Sequence, residues 1–262
     1  KSEPFDISVK DGGSRNSDAE YLAKDVYLNL EISDKNVYEN QPTVAVLRAY
    51  SKNFDNFRKL DNIKVTEQSD ATIKPISLKK QEIETKDDSD YSSQVIATFI
   101  IFPEKSGNVE IEPVSALVKN PELNKLVSNK VKINVKTLPE GSPENFKNTV
   151  GNFNVSIEAI DAPKNIEINK PMNVLVKIAG QGNLDANKLP EIIQSDDYTF
   201  FKPKITSKLS TNKDGVKGVI AATYVLIPKK QGKISINTER FSFFDPNLKK
   251  YVDIGVKSLA IN

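Results

Sequence analysis

The segment Ala97–Ile111 recurs as Ala222–Ile236 at a constant offset (222 − 97 = 125; 236 − 111 = 125). Pro103 corresponds to Pro228, Lys105 to Lys230 and Gly107 to Gly232. An internal repeat fixes architecture before any local motif does, because each copy must be one supersecondary unit. The correspondence continues through Asn120-Pro121 and Asp245-Pro246 at the same offset. Upstream it drifts. Val26, Leu28, Leu30 and Glu31 match Phe153, Val155, Ile157 and Glu158 at 127 (153 − 26), and Val37, Asn40 and Pro42 match Ile166, Asn169 and Pro171 at 129 (166 − 37). Loop insertions produce such drift, while strands keep their register because a one-residue slip turns the core face outward.

The periodicity inside each copy is two. Val26, Leu28, Leu30 and Ile32 alternate with polar residues, as do Phe153, Val155 and Ile157. Alternation marks antiparallel sheets with one wet face. About seven short strands per copy predict an all-β chain of tandem immunoglobulin-like β-sandwich domains. The expected boundaries are 23–138 for the first sandwich, 139–150 for a linker stiffened by Pro139 and Pro143, and 151–262 for the second sandwich. Residues 1–22 are expected to hold the closing strand of a preceding repeat plus a linker, because Phe5, Ile7 and Val9 match Val131, Ile133 and Val135. No amphipathic helix of useful length is expected, beyond a short turn of one at 143–150.

Composition narrows function. His, Cys and Trp are absent, which removes thiolate zinc sites, Ser-His or Cys-His nucleophile pairs and imidazole acid–base chemistry. Lys and Arg number 37 against 35 Asp and Glu, and only Arg15, Arg48, Arg58 and Arg240 are arginine. A near-neutral, lysine-rich surface fits solubility better than nucleic-acid binding. Met172 is the single methionine, so the expectation is of a processed piece of a longer chain. No apolar run is long enough to span a membrane. The expectation is a non-enzyme with no cofactor and no metal.

The second copy resembles the BatD family of Bacteroides aerotolerance, or oxygen tolerance, proteins. The resemblance rests on Leu138–Phe146, Val150–Phe153, Gly180–Leu184, Tyr198–Pro203, Tyr224–Lys230 and Phe241–Pro246; the first copy matches more weakly. It implies an exported, periplasmic or otherwise extracytoplasmic protein, membrane-anchored in its full-length form through segments outside this sequence. It also implies partner proteins: membrane-bound von Willebrand A-domain proteins of the same system. On that basis the expected function is a non-catalytic scaffold presenting Ig-like repeats to envelope partners. A carbohydrate- or small-ligand-binding sandwich and a purely structural surface spacer are the alternatives.

Candidate partner contacts are Asp87, Asp88, Asp90, Asp196, Asp197, Phe201 and Phe244. The aspartates form acidic runs suited to exposed turns, and one could complete a metal held by an A-domain. Phe200-Phe201 and Phe243-Phe244 break the alternation, so one ring of each pair belongs to the core and the other to an exposed or inter-domain face. Gly180-Gln-Gly-Asn-Leu184 could cradle an anion through its N–H groups, but no helix follows it. An inter-strand loop using glycine for positive φ is the expected role.

Overall fold

The computed structural model describes residues 25–85, 89–119, 125–160, 166–212 and 214–261. The closing strand expected at Phe5–Val9 and the Asn120-Pro121 turn lie outside these residues. The first copy contains β1 (Val26–Ile32), β2 (Asn36–Tyr38), β3 (Thr43–Ser51), β4 (Leu60–Val65), β5 (Ala71–Ser77), β6 (Ile83–Glu84), β7 (Ser92–Pro103), β8 (Gly107–Ile111), β9 (Val114–Val118), β10 (Lys125–Val127) and β11 (Val131–Lys136). One sheet runs β1-β3-β7-β5, the A-B-E-D order of immunoglobulin-like sandwiches. Facing it, β10-β9-β4 and β2-β11-β8 continue one another across breaks at Pro113 and Ser128-Asn129. Val26, Leu28 and Leu30 from β1, Phe99 and Ile101 from β7, and Ile111 and Ile133 from the facing layer share one buried core.

The second copy repeats the plan with β12 (Gly151–Ile160), β13 (Met172–Gly182), β14 (Tyr198–Phe200), β15 (Lys204–Asn212), β16 (Gly215–Pro228), β17 (Ile234–Asn237), β18 (Phe241–Asp245), β19 (Lys250–Gly255) and β20 (Ser258–Ile261). Its main sheet runs β12-β13-β16-β14, with β15 also on β16. The facing layer is thinner, β17-β20 and β18-β19. The counterpart of β4 shrinks to a single bridge, Ile192 to Thr238.

The repeat is maintained by local chemistry. Asn40 and Asn169 both adopt left-handed backbone (φ 61° and 65°), and their N–H groups donate to Pro103 O and Pro228 O at 2.7 and 2.9 Å. Asparagine tolerates this conformation better than other non-glycine residues. Gly107 and Gly232 turn each long strand into the next at φ 103° and 85°. These positions do turn work in both copies.

A short helix, α1 (Phe54–Lys59), was not expected. Asn53 caps it by accepting from Asp55 N, and Phe57 is buried on its inner side. At six residues it is too short for periodicity to reveal. Residues 143–150 make only a turn, with Phe146 N donating to Pro143 O at 3.2 Å.

Gly180-Gln-Gly-Asn-Leu184 departs from the expected loop. Gly180 and Gly182 are the last turns of the pleat in β13, paired with Phe153 and Gly151 of β12. The Phe153 ring lies over Gly151, Gly180 and Gly182, so that a Cβ on any of them would stand within 3 Å of it. Phe153 also meets Phe243 edge-on at 5.7 Å. The glycines form a flat seat for a core aromatic.

Tyrosines tie pH to this architecture. Tyr50 donates to Glu31 Oε1 at 2.9 Å, and burial, then that carboxylate, push its phenol up to about 12. Burial raises Tyr198, Tyr224 and Tyr251 as well. The native state therefore keeps phenolic protons that the unfolded chain releases near pH 10. Their stabilisation is complete below that pH and is lost as pH rises toward about 12. In an alkaline titration, late tyrosinate absorbance is expected to coincide with loss of the β circular-dichroism signal. Full ionisation before any loss of that signal would contradict this assignment.

Candidate interaction surfaces

The two sandwiches meet through β7 and Tyr38 of the first copy. In β7 the inward residues Phe99 and Ile101 face their own core, while Ile100 and Phe102 pack into the core of the second copy. This double burial explains the unbroken apolar run Phe99–Phe102. The Tyr38 ring meets Phe244 edge-on at 4.8 Å, and Phe244 meets Tyr251 at 5.4 Å. Residues 137–149 are strapped along the second sandwich. Tyr251 OH donates to Pro139 O at 2.8 Å, and Lys188 Nζ donates to Lys147 O at 2.6 Å. Burial lowers the pKa of that lysine. Beside these contacts a cleft of about 450 Å³ separates the copies, bordered by Ser33, Asp34, Pro42, Gln181, Asp214 and Asn247.

The expected contact residues part company here. Phe244 is fully buried and serves the junction inside the chain, so it is not offered to an outside partner. Phe243 is core, and both rings of that pair are covered because the first sandwich lies over the second face. Phe200 packs on the core, whereas Phe201 is 60% exposed. Asp87 and Asp88 lie outside the described residues. Asp90 is exposed and reaches Lys52 at 3.7 Å. Asp196 is exposed at the tip of a tight turn closed by the Ser195–Tyr198 bridge.

Asp197 is engaged in a clasp that recurs. Its carboxylate pairs with Lys230 at 2.7 Å and its carbonyl accepts from Lys229 N. In the first copy Asp70 pairs with Lys105, and Asp70 O accepts from Glu104 N. The Lys105 ammonium holds the Asp70 carboxyl below its ordinary range. Lys105 and Lys230 are repeat counterparts, so the lysine of each Pro-x-Lys-x-Gly segment has an acidic partner. The signal was available as Ser69-Asp70 against Asp196-Asp197 (197 − 70 = 127), but it sits in the variable middle. A second recurrence joins the opening strands: Glu31 to Arg48 at 3.5 Å and Glu158 to Lys177 at 2.6 Å. Solvent screening leaves such surface pairs a small part in stability.

Tyr27 and Tyr50 stack at 4.9 Å and 7°, with Tyr91 edge-on to Tyr27 at 5.5 Å. Each stacked ring covers a face of the other, so the cluster is a cross-strand lock. Among the described residues no group of three or more acidic side chains is placed to hold a metal ion. Among them also, no helix is long and apolar enough to cross a membrane.

The copies differ at the positions that form the junction in the first copy. Ile100 and Phe102 correspond to Val225 and Ile227, and Lys74 to Phe201. Ile100 is 0% exposed because the second sandwich covers it, whereas Val225 is 39% exposed. Lys74 lies over Phe102 at the junction. At the far pole of the second sandwich the positions of Lys74 and Ile100 hold Phe201 and Val225, both exposed among the described residues.

Three solved structures are similar in outline. The Yersinia pseudotuberculosis adhesin InvE is 12% identical over 90% of this chain and 59% of its own, with a TM-score of 0.29. The Escherichia coli adhesin FdeC is 10% identical over 90% and 62%, at 0.21. Domains 4–9 of the surface layer protein SbsC are 14% identical over 89% and 30%, at 0.18. The chain thus spans less than two thirds of each, and at these TM-scores the likeness carries no functional argument. No curated protein matches this chain. A family model described as "BatD DUF11 like domain" matches residues 159–262. The second sandwich is therefore a BatD-family domain.

Proposed function

We propose that this chain is a non-catalytic, extracytoplasmic interaction module of a membrane-anchored BatD-type protein. In this reading two rigidly joined sandwiches, with boundaries near 23–138 and 151–262, present one continuous surface to envelope partner proteins. The observation that carries it is the far pole of the second sandwich. Phe201 and Val225 are exposed there at the repeat positions of Lys74 and Ile100, which lie at the junction in the first copy. Exposed apolar side chains in register with an existing inter-domain contact support an interaction surface there. The proposed partners are membrane-bound von Willebrand A-domain proteins, which the family resemblance supports, and Asp196 stands at a turn tip on the same sandwich.

The test uses the membrane-anchored full-length protein, with Phe201→Lys to install the first copy's residue. A-domain proteins are expected to be recovered with the natural protein and at least tenfold less with the variant, as for loss of an aromatic anchor of about 2 kcal/mol. Equal recovery would remove the pole from the account, and recovery of no A-domain protein with either form would remove these partners.

A further inference from the structure

The edge strand β15 is open along one side among the described residues. It spans nine residues, pairs with β16 without a register shift and is bound on that side alone among the described residues. Its counterpart edge in the first copy is closed to such pairing. There β5 carries Pro75 and a register break between Pro75 and Ser77, and β6 continues along β7. Proline and bulges are the usual protections of a sheet edge. The β1 edge is sealed differently, by Asn129, whose side chain accepts from Leu30 N at 2.7 Å and donates to Leu30 O at 3.3 Å.

The two faces of β15 specify what could add to it. Ile205, Ser207 and Leu209 pair with Ala222, Ile220 and Gly218 and so belong to the core side of the sheet. Yet Ile205 and Leu209 are 50% and 44% exposed, because the thin facing layer does not reach them. The other face carries Lys204 and Lys208, with Lys217 beside Ser210. Among the described residues none of these lysines has a carboxylate partner. The Lys208 carbonyl points at Gly218, 2.0 Å from where a Cβ would stand. Backbone groups alternate along an antiparallel ladder, so those of Ile205, Ser207 and Leu209 point outward.

We propose that β15 binds an extended segment of a partner protein by strand addition, the segment alternating acidic and apolar residues. The acidic side chains would face Lys204, Lys208 and Lys217, and the apolar ones would cover Ile205 and Leu209. Main-chain hydrogen bonds hold such a strand and alternate side chains select it. A second copy of β15 is disfavoured, since edge-to-edge pairing would set lysine against lysine. This inference rests on the interaction reading but on a different surface.

The probe is a blocked nine-residue peptide alternating glutamate and valine, titrated into the intact chain. Saturable binding is expected, with new amide protection at Ile205, Ser207 and Leu209. Lys204→Glu/Lys208→Glu should weaken it on the order of tenfold, through loss of charge complementarity. Ser207→Pro, which removes an outward N–H and leaves the β16 pairing intact, should weaken it as well, with circular dichroism confirming that each variant folds. The same peptide N-methylated at alternate residues should not bind. Equal binding of the N-methylated peptide, protection elsewhere, no binding, or dimerisation through β15 would each overturn the proposal. Absence of peptide binding with A-domain proteins still recovered would reject the edge and leave the interaction reading standing. Peptide binding without that recovery would support the edge and remove the A-domain proteins as partners.

Discussion

Phe244→Ala is expected to destabilise the second sandwich by about 3–5 kcal/mol and to loosen the angle between the two domains. The ring is fully buried, yet it belongs to neither sandwich alone. It meets Tyr38 across the junction and Tyr251 behind it, and Tyr251 holds the strap through Pro139. Truncation leaves a void that the first sandwich must fill or abandon. Phe243→Ala is the control. Its ring packs on Phe153 inside the second sandwich, so a similar loss is expected with the junction intact. Chemical unfolding followed by circular dichroism reads the stability, and small-angle scattering reads the spread of inter-domain distances. A cycle with Tyr38→Ala should give a coupling of about 0.5–1.5 kcal/mol for the aromatic pair. Identical scattering from both variants would contradict the role given to Phe244.

Gly182→Ala is the second large effect. Gly182 has φ +147°, and a Cβ there would stand 2.1 Å from Val150 O and 2.9 Å from Phe153 Cζ. The strand cannot withdraw without unseating Phe153 and separating β12 from β13. Backbone strain of about 1–3 kcal/mol adds to overpacking of about 1–3 kcal/mol. Gly232→Ala separates the two causes. Gly232 also has positive φ, at +85°, but a Cβ there meets nothing within 4 Å. Only the conformational cost of about 1–2 kcal/mol should remain. Urea midpoints should therefore fall further for Gly182→Ala than for Gly232→Ala. The reverse order would show that the glycine seat is not close-packed.

The sequence made the repeat legible because its strongest signals are local. Asn40 and Asn169, Gly107 and Gly232, and the prolines ending β7 and β16 each act within one turn, so their spacing survives loop insertions. Features that depend on distant neighbours were hidden. Both rings of Phe243-Phe244 are buried because another domain covers one of them, which alternation within a strand cannot report. The aspartate clasp was masked because Asp70 and Asp197 sit where the copies differ in length. Gly180 and Gly182 read as a loop since glycine normally breaks strands, whereas here the Phe153 ring across the ladder makes their missing side chains necessary. The open edge at β15 depends on sheet order, and its weak Ile205–Leu209 alternation gives no hint that the facing layer stops short.

Partners are expected to engage surfaces where the two copies differ, with the repeated residues only holding those surfaces in place. Hydrogen exchange on the chain, with and without purified A-domain protein, tests it most directly. Slowed exchange is predicted at the far pole around Phe201 and Val225 and along β15, with the turns at Asn40, Gly107, Asn169 and Gly232 unchanged. Binding that slowed exchange at those repeated turns and left the far pole and β15 untouched would contradict it.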